Sequence, residues 1–101
     1  MTIGTAGEHI AARVFRDRGW RILGTNVRLR TGEIDLLVTR DGRRSVVEVK
    51  TALGGGSPID RVDDAKHARL WELARHVGAD GVFLVEVRVT PSGARIAWSP
   101  G

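Results

Sequence analysis

The sequence contains no cysteine, which excludes disulfides and thiolate metal ligands and leaves the redox compartment undetermined. It has no basic-then-apolar segment near its start and no apolar run approaching the length needed to cross a bilayer. Lysine is also scarce, with two Lys against fourteen Arg. From these features we expect a soluble cytoplasmic protein that has no membrane partner.

The excess of arginine gives the chain a formal net charge of +4 and a pI of about 11.0. Guanidinium groups bind phosphate through two parallel hydrogen bonds, so this composition favours a nucleic-acid partner without proving one. The 101 residues are enough for one domain, 1–101, with a single core and no separate recognition module.

The most informative stretch is 32–51, in which two apolar runs flank an Asp-Gly pair. Asp41 and Gly42 tolerate the positive φ angles that a tight hairpin turn requires, so this pair predicts a β-hairpin. With the turn centred between them, Asp35 faces Glu48 and Glu33 faces Lys50.

Side chains alternate along a strand, so the register also assigns the two faces of the hairpin. The charged face contains Glu33, Asp35, Leu37, Val46, Glu48 and Lys50. The opposite face, predicted to be buried, contains Ile34, Leu36, Val38, Val47 and Val49.

Two carboxylates that face each other across a sheet have Cβ atoms about 5 Å apart, a destabilising arrangement that costs roughly 3 kcal/mol. A divalent cation between Asp35 and Glu48 would turn this repulsion into coordination, and Mg²⁺ or Mn²⁺ prefers such oxygen ligands. Lys50 could then orient or deprotonate a water, or stabilise charge on a phosphate. The alternative is a solvated face on which Glu33 and Lys50 form an ordinary cross-strand pair.

The pattern Gly32-Glu33-Ile34-Asp35-Leu36 followed by Glu48-Val49-Lys50 resembles the Asp…Glu-x-Lys signature of the restriction-endonuclease-like nucleases. Within that superfamily the chain is similar to the YraN-like proteins, relatives of archaeal Holliday-junction resolvases. Further matching residues are Gly7, Glu8, Ala11, Ala12, the run 19–23, Asn26, Arg28, Lys66 and Arg69. The chain departs from the family at Ala52, where an arginine is common.

The resemblance implies a catalytic set of Asp35, Glu48, Lys50 and Glu8, acting on DNA with Mg²⁺ or Mn²⁺. Asp35, Glu48 and the backbone carbonyl of Val49 would hold the metal. Because junction-cleaving relatives act as dimers, the resemblance also makes a homodimer plausible.

Glu8 has two interpretations in a helix predicted over 5–18. It follows Thr5 at capping-box spacing, and it also begins the stripe Glu8, Ala11, Ala12 and Phe15 that should pack on the sheet. A carboxylate on a buried stripe is costly unless it is paired or ligating. Together with the resemblance, this favours Glu8 as a supporting member of the metal site, whereas His9 lies off the stripe and is predicted to be solvated.

Four basic residues are candidates for contact with nucleic acid. Arg28 and Arg30 lie on the same side of a segment predicted over 20–23 and 26–30 as one bent strand or two fragments, where a solvated edge is equally consistent. Lys66 falls on the stripe of a second helix predicted over 61–77, with Arg69 beside it. Lys66 could snorkel to solvent, or could reach the carboxylates or a substrate phosphate.

The remaining chain completes an α/β fold. The second helix has Asp60 as candidate N-cap, Gly78 as its end and a predicted stripe of Val62, Ala65, Leu70, Leu73, Ala74 and Val77. A glycine-rich loop, 54–58, precedes it, and strands are predicted over 80–89 and 94–98. The crossover after Thr51 should place the fourth strand parallel to the hairpin. This gives a restriction-endonuclease-like three-layer core, a mixed central sheet flanked by two main helices, with Glu86 and Arg88 on the surface.

The sequence therefore predicts a Mg²⁺-dependent endonuclease that hydrolyses phosphodiester bonds in DNA, with branched or junction DNA in repair or recombination as a substrate class. One alternative is a catalytically inactive nucleic-acid-binding domain on the same scaffold. Its DNA binding would be indifferent to Mg²⁺ but would fall steeply with salt. A purely structural interaction domain is a third.

Overall fold

The computed structural model describes residues 3–54 and 64–101, which form two helices and five strands. In chain order these are α1 (Ile3–Asp17), β1 (Arg21–Leu29), β2 (Gly32–Arg40), β3 (Arg43–Leu53), α2 (Asp64–His76), β4 (Gly81–Thr90) and β5 (Gly93–Pro100). The predicted α/β class and the mixed central sheet with two helices are confirmed. Neither helix is long and apolar enough to cross a membrane.

The strands form one sheet in the order β1-β2-β3-β4-β5. β3 and β4 are parallel, and the other neighbouring pairs are antiparallel. A parallel pair needs a crossover connection, here through α2, so the predicted placement of the fourth strand beside the hairpin is confirmed.

The two faces of the sheet bury separate hydrophobic clusters. The first cluster joins α1 to the sheet through Ala11, Ala12, Phe15, Leu36, Val38, Val47, Val85 and Val87. The second joins α2 to the sheet through Ile34, Val46, Leu70, Leu73, Ala74 and Val82. Helices on both faces make the three layers, because each amphipathic helix must cover its apolar stripe.

The hairpin between β2 and β3 has the predicted turn and register. Asp41 and Gly42 have φ angles of 53° and 78°, and Arg40 pairs with Arg43 across them. The register continues through Leu36–Val47 as the central Asp-Gly turn requires. A local turn preference has thus aligned residues that lie further along both strands.

The helix boundaries correct two predictions. α1 already includes residues before Thr5, so Thr5 is not its N-cap. Ala65 was assigned to the buried stripe of α2 but is exposed, because the helix covers the sheet only from Leu70 onward. The predicted cap Asp60, Val62 and most of the glycine-rich loop lie outside the described residues.

Other predicted boundaries hold. β1 is one strand with a register shift between Ile22 and Gly24, which matches the bent-strand alternative. Gly19 and Gly78 have positive φ angles and follow the ends of α1 and α2. The alternation predicted for β4 is also present, since Phe83, Val85, Val87 and Val89 pack on the α1 side.

The alternation of β2 is interrupted at Asp35. Leu36 packs in the α1 cluster, whereas Ile34, two residues earlier, packs in the α2 cluster. The prediction that Ile34 lies on the same face as Leu36 is therefore wrong. Strict alternation assumes a regular strand, but here the neighbouring Asn26 of β1 has a φ of 49°, a value that Asn tolerates better than most residues.

Candidate active site on β2 and β3

Asp35 lies where β2 and β3 separate. The ladder between these strands stops at Leu36–Val47, one step before Asp35 would pair with Glu48. Instead, the backbone N–H of Val49 donates a hydrogen bond of 2.8 Å to Oδ2 of Asp35. The carboxylate therefore replaces a backbone acceptor of the sheet, and its position is fixed by β3.

The surroundings of Asp35 oppose its negative charge. The pKa of Asp35 is raised from 3.8 to about 7, and burial is the largest cause. The neighbouring Glu48 and, more weakly, Glu8 also raise this pKa, whereas the hydrogen bond from Val49 lowers it. Glu48 raises the pKa of Asp35 through both its charge and a hydrogen-bonding contribution of its side chain. The structure thus places the two predicted ligands close enough for one to raise the pKa of the other.

Lys50 completes this arrangement from β3. Its Nζ lies 3.4 Å from Oε1 of Glu48, and the two side chains are 26% and 20% exposed. The predicted pairing of Lys50 with Glu33 is wrong, because β2 and β3 diverge before they reach these residues. Glu33 instead pairs with Arg28 of β1, at 3.6 Å from Oε2 to Nε.

Glu8 reaches the site from α1 because the helix lies directly against β3. Gly7 is buried, and a Cβ at this position would overlap the side chain of Thr51, the residue after Lys50. This close approach leaves Glu8 half-buried and near enough to Asp35 to act on its pKa. Since the helix begins before Thr5, the capping-box interpretation of Glu8 no longer applies.

Asn26 is the residue to which the sequence analysis gave no role. Its Nδ2 donates hydrogen bonds of 2.8 Å to Oε2 of Glu8 and 3.1 Å to Oε1 of Glu33. One neutral amide therefore holds two carboxylates that come from different elements. A signal was present, because Asn is depleted in strands and suits a positive φ.

The predicted basic residues fall into two groups. Lys66 and Arg69 of α2 line a small cavity of about 150 Å³ together with Glu33 and Glu48. Arg28 is exposed and paired with Glu33, and Arg30 is exposed in the turn after β1. The structure thus places Lys66 and Arg69 next to the carboxylates, while Arg28 and Arg30 lie at the outer end of β1.

Within residues 3–54 and 64–101, no three His, Asp or Glu side chains form a group that could hold a metal ion. Glu8 is accordingly a neighbour of the Asp35–Glu48 pair, and its side chain accepts a hydrogen bond from Asn26. Two carboxylates are still a sufficient protein contribution for Mg²⁺, which keeps several waters and takes further oxygens from a phosphate.

Fold and site together define a class: a three-layer α/β domain in which two acids and a lysine meet where neighbouring strands separate. A model described as "Uncharacterised protein family UPF0102" matches residues 7–90. The chain belongs to this family, and the predicted YraN-like membership is confirmed.

Similar proteins occur in several bacteria. A UPF0102 protein of Clavibacter michiganensis is 46% identical over 74 residues, which cover 71% of this chain and 63% of the relative. Proteins of the same description from Thermotoga petrophila and Aquifex aeolicus are 40% and 36% identical over 92 and 94 residues. Those matches cover 85% and 89% of this chain, and 84% and 86% of the relatives. The chain therefore spans less than two thirds of the Clavibacter relative.

Proposed function

We propose that this chain is a metal-dependent nuclease domain that hydrolyses phosphodiester bonds in DNA. The observation that supports this most directly is the Asp35 carboxylate, held between β2 and β3 by Val49 and in contact with Glu48. A protein does not need this costly pair for folding, since opposed carboxylates destabilise a sheet. The pair is explained if it binds a cation.

The donor set fits Mg²⁺ or Mn²⁺. Asp35 and Glu48 offer hard carboxylate oxygens, and the backbone carbonyl of Val49 is a third candidate ligand. Burial and the neighbouring acids raise the pKa of Asp35, and a bound cation would offset both effects. A bound ion would supply Lewis acidity toward a phosphate oxygen and a lower pKa for a coordinated water.

The residues of the chain itself would position the reactants. The ammonium of Lys50, held beside Glu48, can orient the attacking water or stabilise the charge that develops on the scissile phosphate. Glu8, fixed by Asn26, supports the site by holding negative charge next to Asp35.

DNA would approach across Lys66 and Arg69, whose side chains line the cavity beside Glu48. Arg28 and Arg30 offer further backbone contacts at the end of β1. Contacts to phosphate orient a nucleic acid without reading its sequence, so the proposal includes no base preference. The resemblance to Holliday-junction resolvases makes branched DNA, and a homodimer that cuts it, the first case to test.

The test is cleavage of supercoiled plasmid and of a four-way junction with Mg²⁺, Mn²⁺ or EDTA. We expect cleavage by the parent with either metal, none in EDTA, and a loss of at least about a hundredfold in Asp35→Asn and Lys50→Ala. Asp35→Asn keeps an oxygen for the Val49 N–H, so the fold should persist. The exposed acid Asp17 provides the matched control, Asp17→Asn, which should cut like the parent. Equal rates in all variants would refute the assignment.

A second candidate is nucleic-acid binding without catalysis on the same scaffold. It is favoured by the lack of a three-acid group among the described residues and by the basic charge of the chain. It predicts DNA binding that is identical in Mg²⁺ and EDTA and weakens steeply with salt, with no cleavage under any condition.

A further inference from the structure

The two edge strands of the sheet differ in how well they are protected from pairing with a further strand. β1 contains a register shift between Ile22 and Gly24 and a positive φ angle at Asn26. β5, at the opposite edge, pairs with β4 without any shift in register, and its only charged residue is Arg95. Bulges, charges and prolines are the usual devices that keep an edge strand from pairing. Within the described part of the chain, β5 is therefore the edge suited to pair with another strand.

The backbone of β5 directs the polar groups of alternate residues to its open side. In an antiparallel ladder, residue pairs that exchange hydrogen bonds alternate with pairs that do not. The N–H of Gly101 donates a bond of 2.7 Å to the carbonyl oxygen of Val82, one step beyond the Phe83–Pro100 pair of the same register. Residues an even number of positions before Gly101 therefore also bond to β4. The residues between them direct N–H and C=O groups outward, and those of the strand that have both groups are Ala94, Ile96 and Trp98.

This open stretch is complementary to itself in an antiparallel arrangement. With Ile96 on a two-fold axis, Ile96 faces its own copy, and Ala94 faces Trp98 on either side of the axis. Each such pair can exchange two backbone hydrogen bonds, about six in all, and the small Ala94 leaves room for the indole. Ile96 and Trp98 pack against the α1 cluster, so a second copy would extend that apolar layer. Arg95 would face the neutral Ala97 of the second copy.

Other registers of the same two edges are less favourable. A slip of one residue sets outward groups opposite residues that already bond to β4. A slip of two residues in one direction places Ala94 opposite Pro100, which has no N–H to donate. A slip of two in the other direction places Trp98 opposite the β4–β5 turn and Arg95 opposite its own copy, a destabilising pair. Hydrogen bonding and charge thus favour one register, and the partner that fits it is a second copy of this chain.

We propose that the chain forms a two-fold symmetric dimer through its β5 edge, in which the two sheets join into one. Because the axis is perpendicular to the sheet, corresponding faces of the two copies lie on the same side. A pair of strand edges buries less than the roughly 800 Å² per partner of a standard interface, so we expect a dissociation constant in the micromolar range. The inference does not depend on the proposed nuclease activity.

Sedimentation velocity between about 1 and 500 μM measures the monomer–dimer equilibrium. Ala97→Lys is the primary variant, because Ala97 is exposed and pairs with Glu86 within the monomer, so that a lysine should not destabilise the fold. In the dimer the lysine would face Arg95 of the second copy, twice by symmetry, and the dissociation constant should rise several-fold. Leu23→Lys adds the same charge at an exposed position of β1 and should leave the dissociation constant unchanged.

Two further variants test the register. Arg95→Glu combined with Ala97→Lys sets opposite charges against each other across the axis and should restore dimerisation. Ala94→Pro removes an outward N–H without breaking a bond to β4, and should weaken the dimer in the same way as Ala97→Lys. Thermal unfolding by circular dichroism at low concentration, where the chain is monomeric, checks that each variant is folded.

A parent that sediments as a monomer throughout this range would overturn the dimer. A dimer weakened by Leu23→Lys but not by Ala97→Lys would overturn the β5 interface, and a combined variant that does not recover dimerisation would overturn the register. None of these measurements contains DNA or metal, so their outcome and that of the cleavage assay are independent.

Discussion

Like charges meet in the sheet at Asp35 and Glu48 and again at Arg88 and Arg95, and the backbone accommodates these two pairs differently. Asp35 and Glu48 meet where the β2–β3 ladder stops, and Asp35 accepts a hydrogen bond from the backbone of Val49. Arg88 and Arg95 project from an uninterrupted β4–β5 ladder. Asp35 is therefore bonded into the backbone of the sheet, whereas Arg88 and Arg95 are side chains on a regular ladder.

This difference fits the task that we propose for the acids. Metal coordination and in-line attack require atoms held to fractions of an ångström, and a carboxylate bonded to backbone is held in that way. Contact with a flexible phosphate backbone would tolerate long, exposed side chains such as that of Arg95. The Asp35–Glu48 pair and the arginine pair can be tested by separate substitutions.

The largest predicted effect is the pH dependence of folding stability, to which Asp35 and Glu48 should contribute and Arg88 and Arg95 should not. Because the folded state raises the pKa of Asp35 from 3.8 to about 7, the folded protein binds more protons than the unfolded chain between these values. Without metal, the free energy of unfolding should therefore fall as pH rises from about 4 to about 7, and it should level off at higher pH. The expected decrease is on the order of 2 kcal/mol, because water near the half-buried Asp35 weakens the effect.

Urea unfolding at a series of pH values measures this slope. Asp35→Asn should flatten it, Glu48→Gln should reduce it, and Arg95→Ala should leave it as in the parent. Mg²⁺ or Mn²⁺ should also flatten it, since a bound cation replaces the shared proton. A parent whose stability is constant or rises over this range would contradict the pair described for the site.

The next prediction concerns Asn26, which holds Glu8 and Glu33 in place beside the site. Asn26→Gly retains a residue that accepts the observed φ of 49° but removes the amide that holds Glu8 and Glu33. We expect a roughly tenfold lower kcat for DNA cleavage at nearly unchanged KM, together with weaker Mn²⁺ binding in calorimetry, because outer partners of a metal site typically contribute this much.

Thr25→Ala, one residue earlier on the same strand, is the matched control and should retain the parent kcat. If Asn26→Gly lowers only the melting temperature and leaves kcat and Mn²⁺ affinity unchanged, Asn26 is merely structural.

The smallest predicted effect concerns Arg88 and Arg95, and it is a gain in stability. Arg95→Gln removes a like charge from a ladder that is otherwise regular, so the free energy of unfolding should rise by about 0.2–1 kcal/mol. Urea unfolding at low salt measures this change, and a loss of stability would show that the arginines support the fold.

Several parts of the site were accessible from sequence because local rules determine them. The Asp-Gly turn set the register that brings Asp35 near Glu48, and helical periodicity identified the buried residues around Phe15. The prediction failed at Glu33 and Ile34. Both errors have one cause. A regular ladder was assumed beyond the point where the strands separate, and a period-two pattern contains no information about that point.

The sequence by itself determined the elements, the turn and the identity of the acids and the lysine, because these depend on residues close together in the chain. The tertiary structure alone decided that Asp35 bonds to the backbone of Val49 and that its pKa is raised by burial. It also decided that Asn26 joins Glu8 to Glu33 and that Arg88 meets Arg95 on the face of Lys50. Each of these depends on contacts between separate elements, where burial and distance fix the energy of a charge and composition does not.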